Sequence, residues 1–266
     1  MTSLEAAFER LNRAKAHIDE LKAIAERFRE EHSNPMEFEF HDNIPENVAK
    51  VADRDGFTTL PVSLTRKDVP LPDGIRALVG EIIQSTRIPL DYLIYELAHL
   101  DSGAPQEGTQ FPIFWKRSYF RKKEPVYLCG VNAAHRHAIE LLQPYNGGRW
   151  LGRLASLSNP DKHKTRLQVR NSALMSTSGT IRSAQGSTGH EVEMNFHFVP
   201  QITLDDGKPV VEAIEEFECA VRAVIDEFNA CFEGACDHSA PPTVQRGDPK
   251  RSRQGRRARR RPSSNS

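Results

Sequence analysis

At 266 residues, with 38% hydrophobic and 27% charged side chains, the chain has the size and composition of one large or two small globular domains. No apolar run approaches the ~20 residues of a membrane-spanning helix. The N-terminus is charged from Glu5 onward, without the apolar stretch of a secretory signal, so a cytoplasmic protein is expected. The formal net charge of zero hides a division: from Arg246 onward nine Lys/Arg face one acid, Asp248, a net +8, and the preceding body carries −8.

In chain order, Leu4, Ala7, Phe8, Leu11, Ala14, Ile18, Leu21, Ile24, Ala25 and Phe28 recur with helical period. They predict an amphipathic helix capped by Ser3 and closed at Asn34-Pro35. Met36, Phe38 and Phe40 alternate with Glu37, Glu39 and His41 as a strand does, and Asn47 to Ala52 is expected to pair with them across a turn at Ile44 to Glu46. The longest apolar-periodic run is Ile75 to Leu100. Ile75, Leu78, Val79, Ile82 and Ile83 begin its stripe, and Leu90, Leu93, Ile94, Leu97 and Leu100 continue it. Pro89 lies between them. A helical proline lacks a donor and crowds the carbonyl four residues back, at ~3 kcal/mol, so a kink or break is expected at Ser85 to Pro89.

Beyond a loop carrying Thr109 to Phe114 and a basic, aromatic stretch to Lys123, helices are expected over Asn132 to Leu142 and Trp150 to Leu157. A turn at Tyr145 to Gly148 separates them, and a new element starts at Ser158-Asn159-Pro160-Asp161. Strand period follows near Leu167 and Val169 and over Val192 to Phe198, extended by Pro200 to Leu204 and turned by Asp205-Asp206-Gly207. The polar run Ser176 to Gly189 reads as a hairpin loop or a short extra strand. Val211 to Phe232 is a last amphipathic helix, with Ile214, Phe217, Val221, Val224, Ile225 and Phe228 on one face. Residues 234–266 lose all period, which makes them a disordered basic tail behind a single domain, 1–233. The expected fold is α+β: a core of antiparallel helices, an antiparallel sheet built from the Met36 and Val192 regions, and the last helix packed across it.

Three polar clusters could carry chemistry. Arg87, Asp91 and Tyr95 are spaced to share one face of the central helix, with Tyr92 beside them. An exposed Arg–Asp pair is worth a few tenths of a kcal/mol. Within the most apolar helix an unpaired charge is costly, so the pair is placed for orientation or for an anionic ligand. Asp161, Lys162, His163 and Lys164 gather a carboxylate, two ammonium groups and an imidazole. His163 would act as acid or base and the lysines would hold a phosphate, against the plainer reading of a structural histidine. His135, Arg136 and His137 form a third knot, in which at most one imidazole faces the core.

Cys129, Cys219, Cys231 and Cys236 contain no CxxC pair and read as buried or free thiols. A zinc site at Cys231, Cys236 and His238 is the alternative. No HExxH, GxSxG, P-loop or GxGxxG is present, and no metal or cofactor is expected. The tail residues Arg246, Lys250, Arg251, Arg253, Arg256, Arg257, Arg259, Arg260 and Arg261 have the density of an RNA- or DNA-binding arm, whose affinity comes from counterion release. The competing roles are solubilisation and contact with the acidic body.

Thr86 to Ala98, TRIPLDYLIYELA, resembles the NLRSALDHLVYQLA segment of a family of bacterial proteins of uncharacterised function. In that family an FPIF-type loop, an LQPY segment and a SNxDKHR segment follow. Here they match Gln110 to Phe114, Leu142 to Tyr145 and Ser158 to Lys164, and the resemblance runs from about Phe8 to Phe232. The family supplies no activity to carry over. A more distant resemblance is to the HEPN superfamily of helical domains, whose ribonuclease members carry an arginine, four residues, then a histidine on one helix. It implies that Arg87 faces an RNA phosphate without a metal, but the histidine position falls on Tyr92. A phenol of pKa about 10 is a poor proton shuttle at neutral pH, and losing general acid–base help costs about 10²- to 10⁴-fold, so catalysis would need His163 to fill that place.

The leading expectation is a HEPN-like protein binding nucleic acid or another phosphate-bearing ligand at an Arg87/Asp91/His163 cleft. Tyr92, Tyr95, Asp161, Lys162 and Lys164 would be its contacts, with degenerate or absent catalysis. The alternative is a non-enzymatic interaction module or homo-oligomer, such as a homodimer, in which Arg87 and Asp91 form a structural ion pair.

Overall fold

The computed structural model describes residues 3–32, 36–40, 62–66, 69–158, 169–183 and 190–233. In chain order the elements are α1 (Glu5–Glu31), β1 (Met36–Phe40), β2 (Val62–Arg66), α2 (Ile75–Ser102), α3 (Arg117–Tyr127), α4 (Ala133–Leu141), a 3-10 turn (Pro144–Asn146), α5 (Arg149–Ser158), β3 (Val169–Ser183), β4 (His190–Leu204) and α6 (Val210–Phe232). The class is α+β, as the sequence predicts. The chain divides into two compact units. One comprises Met1–Asn12, Ser85–Asn159 and Phe217–Ser266; the other comprises Arg13–Gln84 and Pro160–Glu216.

In the first unit the helical stripes close a core of Leu4, Ala7, Leu90, Leu93, Ile94, Leu97, Phe120, Ile139, Leu151, Leu154, Phe217, Val221 and Ile225, all buried. In the second, Ala14, Ile18, Leu21 and Phe28 of α1 are buried, as are Ile75, Val79, Ile82 and Ile83 of α2 and Ile202 and Leu204 of β4. These are the faces that the 3.6-residue period marks.

Of the kink or break expected at Ser85 to Pro89, the break does not occur: α2 runs without interruption from Ile75 to Ser102. Ile82, Ile83, Leu90, Leu93 and Ile94, which flank the proline, are at most 2% exposed. Burying each stabilises by about 1.5–3 kcal/mol, and together they outweigh the ~3 kcal/mol that a helical proline costs. The basic and aromatic stretch, for which the sequence predicts no regular element, is α3. Its apolar face is too short to show a period. Phe120 is its buried anchor, and Pro125 is accommodated near its C-terminal end. Asn132 caps α4 by accepting a 2.9 Å hydrogen bond from the His135 amide.

β1 pairs antiparallel with β2, from Met36 opposite Arg66 to Phe40 opposite Val62. The partner expected for it, Asn47 to Ala52, lies outside the described residues. β3 and β4 pair antiparallel over their whole length, from Val169 opposite Leu204 to Ser183 opposite His190, so the polar run from Ser176 to Ser183 is strand rather than loop. The Met36 and Val192 regions therefore do not share a sheet: among the described residues each belongs to its own two-stranded one. Each strand takes a partner close in sequence, where loop closure is entropically cheapest. After β4, the Gly207 amide donates to the Leu204 carbonyl and the Leu204 amide to the Lys208 carbonyl, both at 2.9 Å, turning the chain into α6.

Cys129 and Cys219 are free and exposed. Cys231 is disulfide-bonded rather than the thiol expected.

Candidate functional site

Arg87 and Asp91, one turn apart on α2, face the chain at Phe111. Arg87 donates through Nη2 to the Phe111 carbonyl at 3.0 Å. Asp91 Oδ1 accepts from the Phe111 amide at 2.8 Å. The two side chains also pair with each other, Arg87 Nη1 lying 2.9 Å from Asp91 Oδ1. Nη1 has no aligned hydrogen bond, so that contact is charge attraction alone. Both backbone groups of Phe111 are thus satisfied by one ion pair, while its ring is buried. The Arg87 side chain is only 16% exposed, and its charge is matched by a carboxylate already in place.

The same loop is held again at Pro112 and Phe114. Gln143, fully buried after α4, accepts from the Phe114 amide at 3.0 Å and donates to the Pro112 carbonyl at 2.8 Å and the Ile139 carbonyl at 3.1 Å. A buried backbone group without a partner costs about 1–3 kcal/mol, and this loop has no ladder to supply one; Arg87, Asp91 and Gln143 take its place. The chain after Gln143 must pass very close: a Cβ on Gly148 would fall 2.9 Å from the Leu142 carbonyl carbon and nearer still to its oxygen. Only glycine fits there. The Phe-Pro-Ile-Phe and Leu-Gln-Pro-Tyr segments singled out in the sequence therefore meet Arg87 and Asp91 in one scaffold.

Two further polar clusters brace this unit. Glu140, almost wholly buried, accepts from Arg117 Nε at 3.0 Å, Arg121 Nη2 at 2.7 Å and the Tyr145 hydroxyl at 3.2 Å. Burial first, and then the charge and hydrogen bond of Glu140, push the Tyr145 phenol well above its ordinary value, against the smaller opposing effect of the two arginines. At the end of α2, Asp101 Oδ2 accepts from the Asn132 amide and lies 2.8 Å from His135 Nδ1, while Oδ1 accepts from Asn132 Nδ2 at 2.8 Å. Sequence reasoning missed this buried Asp–His pair. Its one signal was that a single imidazole of the His135–His137 knot could face inward, and His135 does while His137 is exposed.

Of the residues expected at a ligand cleft, Tyr92 is half-buried and Tyr95 exposed on α2. Asp161, Lys162, His163 and Lys164 lie outside the described residues, as do the nine tail cations and the Cys236–His238 part of the zinc alternative. Among the described residues, no group of three or more His, Cys, Asp or Glu is placed to hold a metal ion. No described helix is long and apolar enough to cross a membrane. In comparisons with known proteins, no family model, curated protein or solved structure matches the chain.

Proposed function

We propose that the chain is a non-enzymatic interaction module in which Arg87 and Asp91 form a structural ion pair. The observation that supports this reading is the engagement of both side chains with the amide and carbonyl of Phe111. A ribonuclease-type arginine must instead present its guanidinium to a phosphate, and doing so here would leave the Phe111 carbonyl and the Asp91 carboxylate without their cation. The tyrosine at position 92 points the same way, because a phenol of pKa about 10 is a poorer proton shuttle at neutral pH than an imidazole.

The test compares the full chain with Arg87→Ala and His163→Ala in two assays, thermal denaturation and cleavage of a labelled RNA. The expected result is a lowered Tm for Arg87→Ala, an unchanged Tm for His163→Ala, and intact RNA throughout. RNA cleavage by the unaltered chain that either substitution abolishes, with Tm unchanged, would replace this reading by the HEPN-like nuclease.

A further inference from the structure

Outside the braced scaffold, one surface of the first unit is built unlike the rest. The segment Trp115 to Tyr127 carries five cations, Lys116, Arg117, Arg121, Lys122 and Lys123, against Glu124 alone. Arg117 and Arg121 are tied to Glu140. The Lys116 and Lys122 ammonium groups make no ion pair among the described residues. Helical geometry puts Tyr119, Lys122 and Val126 on one outward stripe (i, i+3, i+7), turned away from the buried Phe120, and Tyr119 is 57% exposed.

Trp115, immediately before the Lys116 N-cap, is the most exposed of the large apolar side chains among the described residues, at 60%. It is nevertheless not loose. Its six-membered ring lies across Gly152 of α5, where an added Cβ would fall 2.8 Å from Cε2, 2.9 Å from Cη2 and closer still to Cζ2. The glycine lets α5 back the indole, leaving the rest of the ring to solvent. A held aromatic surface, a second exposed ring four residues on and unneutralised lysines between and after them match the chemistry of one ligand class: bases that stack, joined by phosphates that are anionic.

We propose that Trp115, Tyr119, Lys116 and Lys122 form a binding platform for single-stranded nucleic acid. The rings stack on bases and the lysines neutralise phosphates. This deepens the interaction-module reading and rests on it. Its residues are distinct from those of the Arg87 cluster and of the basic tail. Exposed apolar rings alone would fit a protein partner as well, but the charge complementarity favours a polyanion.

The experiment titrates a 15-nucleotide single-stranded homopolymer into the full chain, reading oligonucleotide anisotropy and tryptophan emission together. The chain has two tryptophans, and Trp115→Phe isolates Trp150. Stacking predicts quenching that disappears in Trp115→Phe, about tenfold weaker binding for Trp115→Ala and for Tyr119→Ala, and weaker binding with a steeper loss for Lys122→Glu. A duplex of the same length, whose bases are already stacked, should bind more weakly and quench less. Equal affinity for duplex and single strand, or binding without quenching, would assign the affinity to charge on the tail and overturn the platform while leaving the interaction module intact. Quenching by a poly-glutamate peptide but not by the oligonucleotide would overturn it in favour of a protein partner. Cleavage of an RNA version of the probe would instead strike at the non-enzymatic reading.

Discussion

Replacing Gln143 by alanine separates the scaffold from every other source of stability in the first unit. The side chain is fully buried and serves the Phe114 amide and the Pro112 carbonyl, 29 and 31 residues away in sequence. Removing it strands two backbone groups of the loop at about 1–3 kcal/mol each, the lower value for Phe114, which is half-buried and can recruit water, and takes one bond from the Ile139 carbonyl. The lost side-chain volume adds to this, for a total of about 2–5 kcal/mol. At roughly 2–4 °C per kcal/mol for a chain of this size, the midpoint should fall by about 5–20 °C. Thermal denaturation followed by tryptophan emission measures it. Gln143→Glu sharpens the test: it can still accept from Phe114 but turns a carboxylate toward the Pro112 and Ile139 carbonyls. The folded carboxyl then has a pKa raised above the unfolded value near 4.3. Between those two values the native state binds more protons than the unfolded one, so the variant loses stability as pH rises. Its deficit at pH 7 should shrink at pH 4.5. A Gln143→Ala cost below about 1 kcal/mol, or a Gln143→Glu deficit independent of pH, would refute the clamp.

Three further outcomes follow from the same geometry. Gly152→Ala should drive the Trp115 ring off α5 or strain the helix, costing about 1–3 kcal/mol, and should shift tryptophan emission; an unchanged spectrum would show that the ring is not seated there. Tyr145→Phe should cost about 1 kcal/mol at pH 8 through its lost bond to Glu140. Because the folded phenol lies above its unfolded value near 10, its stabilisation is complete below that pH and fades as pH rises through the folded value. The gap between wild type and Tyr145→Phe should therefore narrow above pH 10, which denaturation at pH 8 and pH 11 would read. Asp101→Ala should cost about 2–4 kcal/mol, since it strips the Asn132 and His135 donors of a buried acceptor; a loss under 1 kcal/mol would mean water replaces it.

What the sequence disclosed and what it withheld follow from range. The apolar stripes of α1, α2 and α6 are local patterns, and their buried faces lie where the period puts them. The four-residue spacing of Arg87 and Asp91 was equally legible. Their target was not, because Phe111 comes twenty residues after Asp91 and nothing in a helix face names the loop it will meet. The break expected at Pro89 failed for the opposite reason: a local rule was applied where flanking burial decided the outcome. α3 escaped notice because only Phe120 of its residues is buried, so its aromatics obey the demands of a surface rather than a core. The Asp101–His135 pair spans 34 residues and becomes visible only once α2 and α4 are side by side.

The clamp on the Phe111–Phe114 loop also dictates an order of events during folding. Each of its hydrogen bonds joins positions 20 to 31 residues apart, whereas the turns of α2 and α4 close over four. Arg87 and Asp91 present a matched donor and acceptor to one residue only after α2 has wound, and Gln143 can enter only behind a formed α4. The loop has no turn chemistry of its own to nucleate with, and closing so long a segment carries an entropic cost that is recovered only at docking. The Phe111 and Phe114 segment should therefore settle late, onto helices already assembled. On the reverse path it should come away first, with the amide protons of both residues exchanging through one shared opening.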